Sequence, residues 1–192
     1  MTINKTLSSN SDQDVVTPMW FIDKVSEIFP LEFDLAATRE NCRIGPPTYF
    51  PVRFFSIEED SLSQDWAFIL KTHCPGKYAW LNPPFCAPKK KCLPDCEKER
   101  CQKRGWHDII DQSGISVWMQ KCVDESNKGA KIVALTLATR GTKWYQNIVR
   151  PNSLSLILYK RIAFDGAKHS FTCDLQLNIF GSGMKGEGYF YF

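Results

Sequence analysis

Short, continuously apolar runs alternate along this chain with segments whose apolar residues recur every three or four positions. That alternation narrows the fold more than any single motif does. The run Lys131–Ala138 (KIVALTLA) reads as a buried strand, and LSLILYKRIAF and DLQLNIFG read as two more. Between them, Phe21, Ile22, Val25, Ile28 and Phe29 share one helical face, as do Ile115, Trp118, Met119 and Cys122. Thr17 as N-cap and Pro18 in the first turn start the first helix, and Pro30 stops it. EFDLAAT (32–38) and KYAWL (77–81) are short strands, 43–57 is irregular, EEDSLSQDW is turn-like, and 142–149 is a short helix. Strands alternating with helices predict a mostly parallel α/β sheet with helices on its faces. The last two strands are expected as an antiparallel pair at its edge.

A chain of 192 residues holds one domain with room for one insertion. We expect a flexible polar tail at 1–14, a single domain over 15–192, and a charged, Cys-rich insertion at 86–113. The longest apolar runs are far short of the roughly 20 residues that span a bilayer, so no membrane association is expected. The polar N-terminus lacks the apolar stretch of a secretory signal, which with the cysteine usage predicts a cytoplasmic protein with reduced thiols. The net charge of +3 permits nucleic-acid contact without requiring it, and nothing in the sequence fixes an oligomeric state.

Ligands of open α/β sheets bind at the carboxyl ends of the strands. There Asn82-Pro83-Pro84-Phe85 follows directly on a strand. Two prolines after an asparagine stiffen the backbone. The Asn82 side-chain carbonyl and the Pro83 carbonyl then offer two acceptors to one point, as an exocyclic amino group requires. An adenine amino nitrogen is a poor nucleophile because its lone pair is delocalised into the ring. Hydrogen bonds from both its N–H groups favour a more tetrahedral nitrogen, able to attack a methyl sulfonium. Phe85 is placed to stack on the base, a contact worth roughly 1–3 kcal/mol. The plain alternative is a turn after a strand.

The tetrapeptide resembles the (D/N/S)PP(Y/F) motif of amino-group methyltransferases that use S-adenosylmethionine. Taken with Thr17-Pro18, FDLAA (33–37), EEDSLSQDW (58–66), VALTLATRGTKWY (133–145) and KRIAF (160–164), the chain resembles the phage-type DNA adenine-N6 methyltransferase family from about residue 17 to 180. The resemblance implies a single-domain class I, Rossmann-like fold. It also implies S-adenosylmethionine as cofactor, DNA as partner, a flipped-out adenine as target, and a phage or prophage origin, acting in the bacterial cytoplasm. By the same resemblance Asn82, Pro83, Pro84 and Phe85 form the catalytic loop, while Thr17, Pro18, Asp34, Ala36 and Asp60 contact the cofactor. One departure is that FDLAA stands where related enzymes often carry FxGxG. The FGSG at 180–183 is read as a chain-end turn, because only nine residues follow it.

Cys86, Cys92, Cys96 and Cys101 crowd into one short stretch, with His107 beyond. Their spacings suit one structural zinc held by Cys92, Cys96 and Cys101 with Cys86 or His107; unliganded thiols are the alternative. Buried apolar thiols are expected at Cys42, Cys74, Cys122 and Cys173. The insertion's Lys89, Lys90, Lys91, Arg100, Lys103 and Arg104, together with Arg140 after the strand VALTLA, are candidate phosphate contacts. Lys143 is considered in the same role, and a solvated charged surface is the alternative for all of them. Trp144 and Tyr145 are assigned to the core. His73 and His169 fall in no recognisable triad. Other readings kept open are methylation of RNA adenine or protein glutamine, and a non-catalytic, zinc-containing DNA-binding protein on a methyltransferase scaffold.

Overall fold

A computed structural model describes residues 16–44, 53–56, 58–85, 92, 96–103, 113–165 and 172–192. One mixed six-stranded sheet carries the fold, in the order β1-β2-β3-β5-β4-β6. Its strands are β1 (Leu31–Asp34), β2 (Tyr78–Leu81), β3 (Ile132–Leu137), β4 (Leu154–Leu158), β5 (Leu175–Phe180) and β6 (Gly186–Phe190). The β1–β2, β2–β3 and β4–β6 ladders are parallel, whereas β5 runs antiparallel to both β3 and β4. Five strands therefore point one way and β5 alone is reversed, consistent with the expected α/β class I arrangement.

Four α-helices, α1 (Met19–Ile28), α2 (Trp66–His73), the short α3 (Glu99–Lys103) and α4 (Ile115–Asn127), complete the described elements with a 3-10 turn at Ser61–Ser63 and a π-helical turn at Tyr145–Val149. Side chains of β1, β2, β3 and β5 enter two separate cores, and those of β4 and β6 join only the second. One core packs Phe33, Leu35, Leu81, Ile132 and Ala134 under α2, α4 and the π-helical turn. The other packs Trp80, Val133, Leu135, Leu177 and Ile179 against Phe21, Ile22 and Val25 of α1. Expected core residue Tyr145 is fully buried, and Trp144 packs at the margin of the first core.

Several sequence expectations are corrected. β4 and β5 do pair antiparallel but lie inside the sheet, because β6 adds an edge strand beyond β4. The FGSG segment is thus the β5–β6 turn. Its Gly181 has φ +72° and sits so tightly that an added Cβ would come within 2.0 Å of the Ala130 carbonyl oxygen. Helix α2 was not expected either. It starts where Asp65 accepts from the Phe68 N–H. Buried Glu125 of α4 also accepts from the Ala67 N–H while pairing with Lys121 and Lys128. The irregular region contributes order too: Arg53–Phe55 extend the sheet by pairing with β1, with Asp34 N–H donating to the Arg53 carbonyl and Phe55 N–H to the Asp34 carbonyl. Of the scattered cysteines, Cys74 and Cys122 are buried, whereas Cys42 is half-buried and Cys173 exposed.

Candidate active site

The parallel strands β1 and β2 end side by side. Asp34 is paired in register with Trp80, and the Leu35 N–H donates to the Trp80 carbonyl at 2.8 Å. Residues paired in a parallel ladder share a face, so Asp34 and Trp80 both point to the side that α1 covers. Two residues beyond Trp80 comes Asn82, half-buried, followed by buried Pro83 and half-buried Pro84 and Phe85. Phe85 packs beside the α1-side core.

Thr17 meets this loop from the other side. It is only 4 % exposed, and its hydroxyl oxygen accepts from the Asn82 side-chain Nδ2 at 3.4 Å. The expected N-cap role belongs instead to Pro18, whose carbonyl accepts from the Phe21 and Ile22 N–H groups; the Thr17 side chain makes no cap bond. The Thr-Pro pair resembles a helix start in sequence, but the fold spends the threonine hydroxyl on Asn82. That contact gives the amide a direction. With Nδ2 turned to Thr17, the carbonyl Oδ1 has no donor among the described residues.

Asp34 is 4 % exposed, and burial pushes its carboxyl up to about 7, opposed by a hydrogen bond from the Ala36 N–H to Oδ1 at 3.1 Å. Among the described residues no cation pairs with it. Cys42 lies near enough to feel its charge: burial first, then Asp34, push that thiol up to about 11. Ala36 is half-buried beside Asp34. Asp60 is exposed, holds φ +45°, and accepts with its backbone carbonyl from Ser63 N–H and Oγ. The structure therefore brings Thr17, Pro18, Asp34 and Asn82 to one corner, with Asp60 in a strained surface turn.

In the Cys-rich stretch, Cys92, Cys96 and Cys101 gather their sulfur atoms within 4.8 Å of one another. A hydrogen bond with Cys92 holds the Cys96 thiol below its ordinary range and, by the same contact, pushes Cys92 up to about 11. Tetrahedral zinc with bonds of about 2.3 Å needs sulfur atoms roughly 3.8 Å apart, so this donor set fits such an ion. Cys86, His107, Lys89, Lys90, Lys91 and Arg104 lie outside the described residues, as does the side chain of Lys103. Arg100 is exposed on α3. Arg140 reaches Glu187 of β6 at 3.5 Å, and Glu187 also accepts from the buried Tyr145 hydroxyl at 2.6 Å. The sequence held no sign of this partner, which lies 47 positions away and on the strand that was not foreseen.

No helix among the described residues is long and apolar enough to cross a membrane. A family model described as DNA N-6-adenine-methyltransferase (Dam) matches residues 4–178. A protein of Haemophilus phage HP1 named DNA N-6-adenine-methyltransferase is 24% identical over 124 residues. That stretch covers 63% of this chain and 63% of the phage protein, so the chain spans less than two thirds of that relative's length.

Proposed function

Because this chain belongs to the DNA N-6-adenine-methyltransferase (Dam) family, we propose that it methylates the N6 amino group of adenine in DNA with Asn82-Pro83-Pro84-Phe85 as its catalytic loop. The observation that carries the reading is the Asn82 amide, turned by Thr17 at the carboxyl end of β2 beside buried Asp34, which has no cationic partner among the described residues. Asn82 Oδ1 and the Pro83 carbonyl accept the two amino protons of the target and draw its lone pair out of conjugation. Prolines 83 and 84 keep both acceptors fixed, so little reorganisation is needed at the moment of reaction. Phe85 holds the base plane. A base inside a duplex cannot reach this corner, so the target must leave the stack.

S-adenosylmethionine, when bound, supplies an electrophilic methyl on a sulfonium. The residues present fit such a cation. Buried Asp34 has no positive partner among the described residues and is positioned to take one, with Ala36 giving close backbone approach and Thr17 and Pro18 closing the α1 side. Asp60, on its strained turn, is assigned to the adenine end of the cofactor. Arg100 and Arg140, with Lys89, Lys90, Lys91, Lys103 and Arg104, are assigned to the DNA backbone; Arg140 keeps Glu187 as a neighbour while doing so. Phage or prophage origin and action in the bacterial cytoplasm belong to the same reading.

The test is methyl transfer from labelled S-adenosylmethionine to DNA, followed by nucleoside digestion. N6-methyl-2′-deoxyadenosine as the labelled product supports the assignment. Label in RNA or protein glutamine instead, or no cofactor binding at all, overturns it.

We also infer that Cys92, Cys96 and Cys101, with Cys86 or His107 as fourth ligand, hold one structural zinc. Three thiols gathered within 4.8 Å support this. Methyl transfer from a sulfonium needs no Lewis acid, so the ion serves folding of the segment after the catalytic loop. Elemental analysis should find about one zinc per chain, lost in Cys96→Ser; a content near zero refutes it.

A further inference from the structure

One row of paired residues crosses the sheet. By register Glu187 of β6 lies beside Ser155 of β4, Ser155 beside Asn178 of β5, Asn178 beside Ala134 of β3, and Ala134 beside Leu81 of β2. Leu81 is the residue before Asn82, so the row runs from the β6 edge to the catalytic loop. Side-chain hydrogen bonds tie its middle. Ser155 Oγ donates to Asn178 Oδ1 at 2.9 Å, and Asn178 Nδ2 donates to Thr136 Oγ1 at 2.8 Å, with all three residues fully buried. Such a network holds one arrangement, because any other leaves a buried donor or acceptor unpaired. At the outer end the Tyr145 hydroxyl donates to Glu187 Oε1 at 2.6 Å, and Glu187 Oε2 lies 3.5 Å from Arg140 Nη1. Arg140 is held at its backbone too. Its carbonyl accepts from Gln146 Nε2 at 2.6 Å, and Gln146 Oε1 accepts from Arg150 Nη1 at 3.0 Å. The Arg140 side chain is nonetheless 41 % exposed, and Glu187 meets it through Nη1 alone. A guanidinium carries five N–H donors, so donors remain for a second anion. Glu187 lies beyond residue 178, where the family match ends, so this contact is outside what the match assigns.

We propose that Glu187, with Tyr145 behind it, is a positioning residue for DNA binding: it holds the Arg140 guanidinium ready for one backbone phosphate, remote from the reacting amine. The proposal rests on the methyltransferase reading above and deepens it, naming what fixes one DNA contact and where on the strand that contact falls. Glu187 stands four strands from β2, or roughly 19 Å at about 4.8 Å per strand. One strand of duplex DNA rises about 3.4 Å per nucleotide, so the phosphate belongs to a nucleotide several positions from the target. A contact that far from the methyl acceptor is made equally before and during transfer, so it acts on KM and leaves kcat alone. A free arginine gives up rotamer entropy when it meets a phosphate, and one already held by Glu187 gives up less.

The experiment measures steady-state methylation of unmethylated plasmid DNA, and DNA affinity against salt, for the full chain and four variants: Arg140→Ala, Glu187→Ala, Tyr145→Phe and the Arg140→Ala/Glu187→Ala double. Arg140→Ala is expected to raise KM for DNA roughly tenfold at unchanged kcat. It should also reduce the slope of log affinity against log salt by about 0.9. Glu187→Ala is expected to raise KM about threefold in the wild-type background and not at all once Arg140 is alanine, since it acts only through that side chain. Tyr145→Phe keeps the ring in the core and removes only the hydroxyl. It should follow Glu187→Ala in direction, and it carries the test if Glu187→Ala does not fold. Equal effects of Glu187→Ala in both backgrounds mean that the carboxylate serves the fold, and they overturn the proposal. A KM that falls in Glu187→Ala means that the carboxylate merely repels DNA, and a kcat that falls in Arg140→Ala puts Arg140 at the reacting nucleotide; either overturns it too. Unchanged KM and salt slope in Arg140→Ala remove the phosphate contact, while intact wild-type methylation leaves the methyltransferase reading standing. A wild-type chain that methylates no DNA instead sinks the functional reading from which the proposal starts.

Discussion

Asp34 is the costliest residue in the proposed site, and its cost can be measured. Its carboxyl ionises near 3.8 in an ordinary setting and is pushed up to about 7 here, chiefly by burial. Below pH 4 the group is protonated in both folded and unfolded chains, and it contributes no pH dependence. Between about pH 4 and 7 the unfolded chain loses a proton that the folded chain keeps, so stability falls by up to about 1.4 kcal/mol per pH unit. Above 7 both forms are ionised and the loss is complete, on the order of 4 kcal/mol. Glu125 and Glu187 are held below their ordinary range, by their lysine partners and the Tyr145 hydroxyl respectively. Their stability is lost as pH falls below the ordinary glutamate range, outside the window from 5 to 7 in which Asp34 acts. Urea unfolding of the cofactor-free protein at pH 5, 6, 7 and 8 should show this decline. Asp34→Asn, which keeps an acceptor for the Ala36 N–H, should flatten it and leave the variant more stable than wild type at pH 8. The same substitution should abolish cofactor affinity, because it removes the anion meant for a cation. A flat wild-type profile, or an Asp34→Asn protein less stable than wild type at pH 8, would refute the argument.

Two further outcomes follow from contacts nearby. Thr17→Val removes the hydroxyl that turns the Asn82 amide; a neutral hydrogen bond of about 0.5–1.5 kcal/mol sets the loss in kcat at roughly 2- to 10-fold, with Thr17→Ser close to wild type. Gly181→Ala drives a Cβ into the Ala130 carbonyl at positive φ, so it should cost more than the roughly 1–2 kcal/mol of left-handed strain alone, read as a lower urea midpoint.

Much of this architecture was legible because its signals are local. The apolar run of β3, the helical spacing of α4 and the two prolines that stop β2 each announce themselves within a few residues. What escaped was decided at a distance. Helix α2 has only eight residues, too few for a clear period, and its N-terminus is held by Glu125 from another helix. Strand β6 is glycine-rich and exposed along most of its length, so it lacks the alternation that marks a half-buried strand. Thr17 was legible as a residue of this corner but not in its contact. A threonine before a proline signals a helix cap, and only the fold shows its hydroxyl turned to Asn82. Arg140 was read as a phosphate contact from its place after β3, with no hint of Glu187 across the sheet.

The account stands on Asn82 as the acceptor that readies the target amine, and single-turnover methylation by Asn82→Ala tests that most directly. With DNA and cofactor affinities close to wild type, the rate of methyl transfer should fall by about 100- to 1,000-fold, the scale on which loss of one preorganised polar group acts. A rate within a few-fold of wild type would mean that the amine is activated elsewhere.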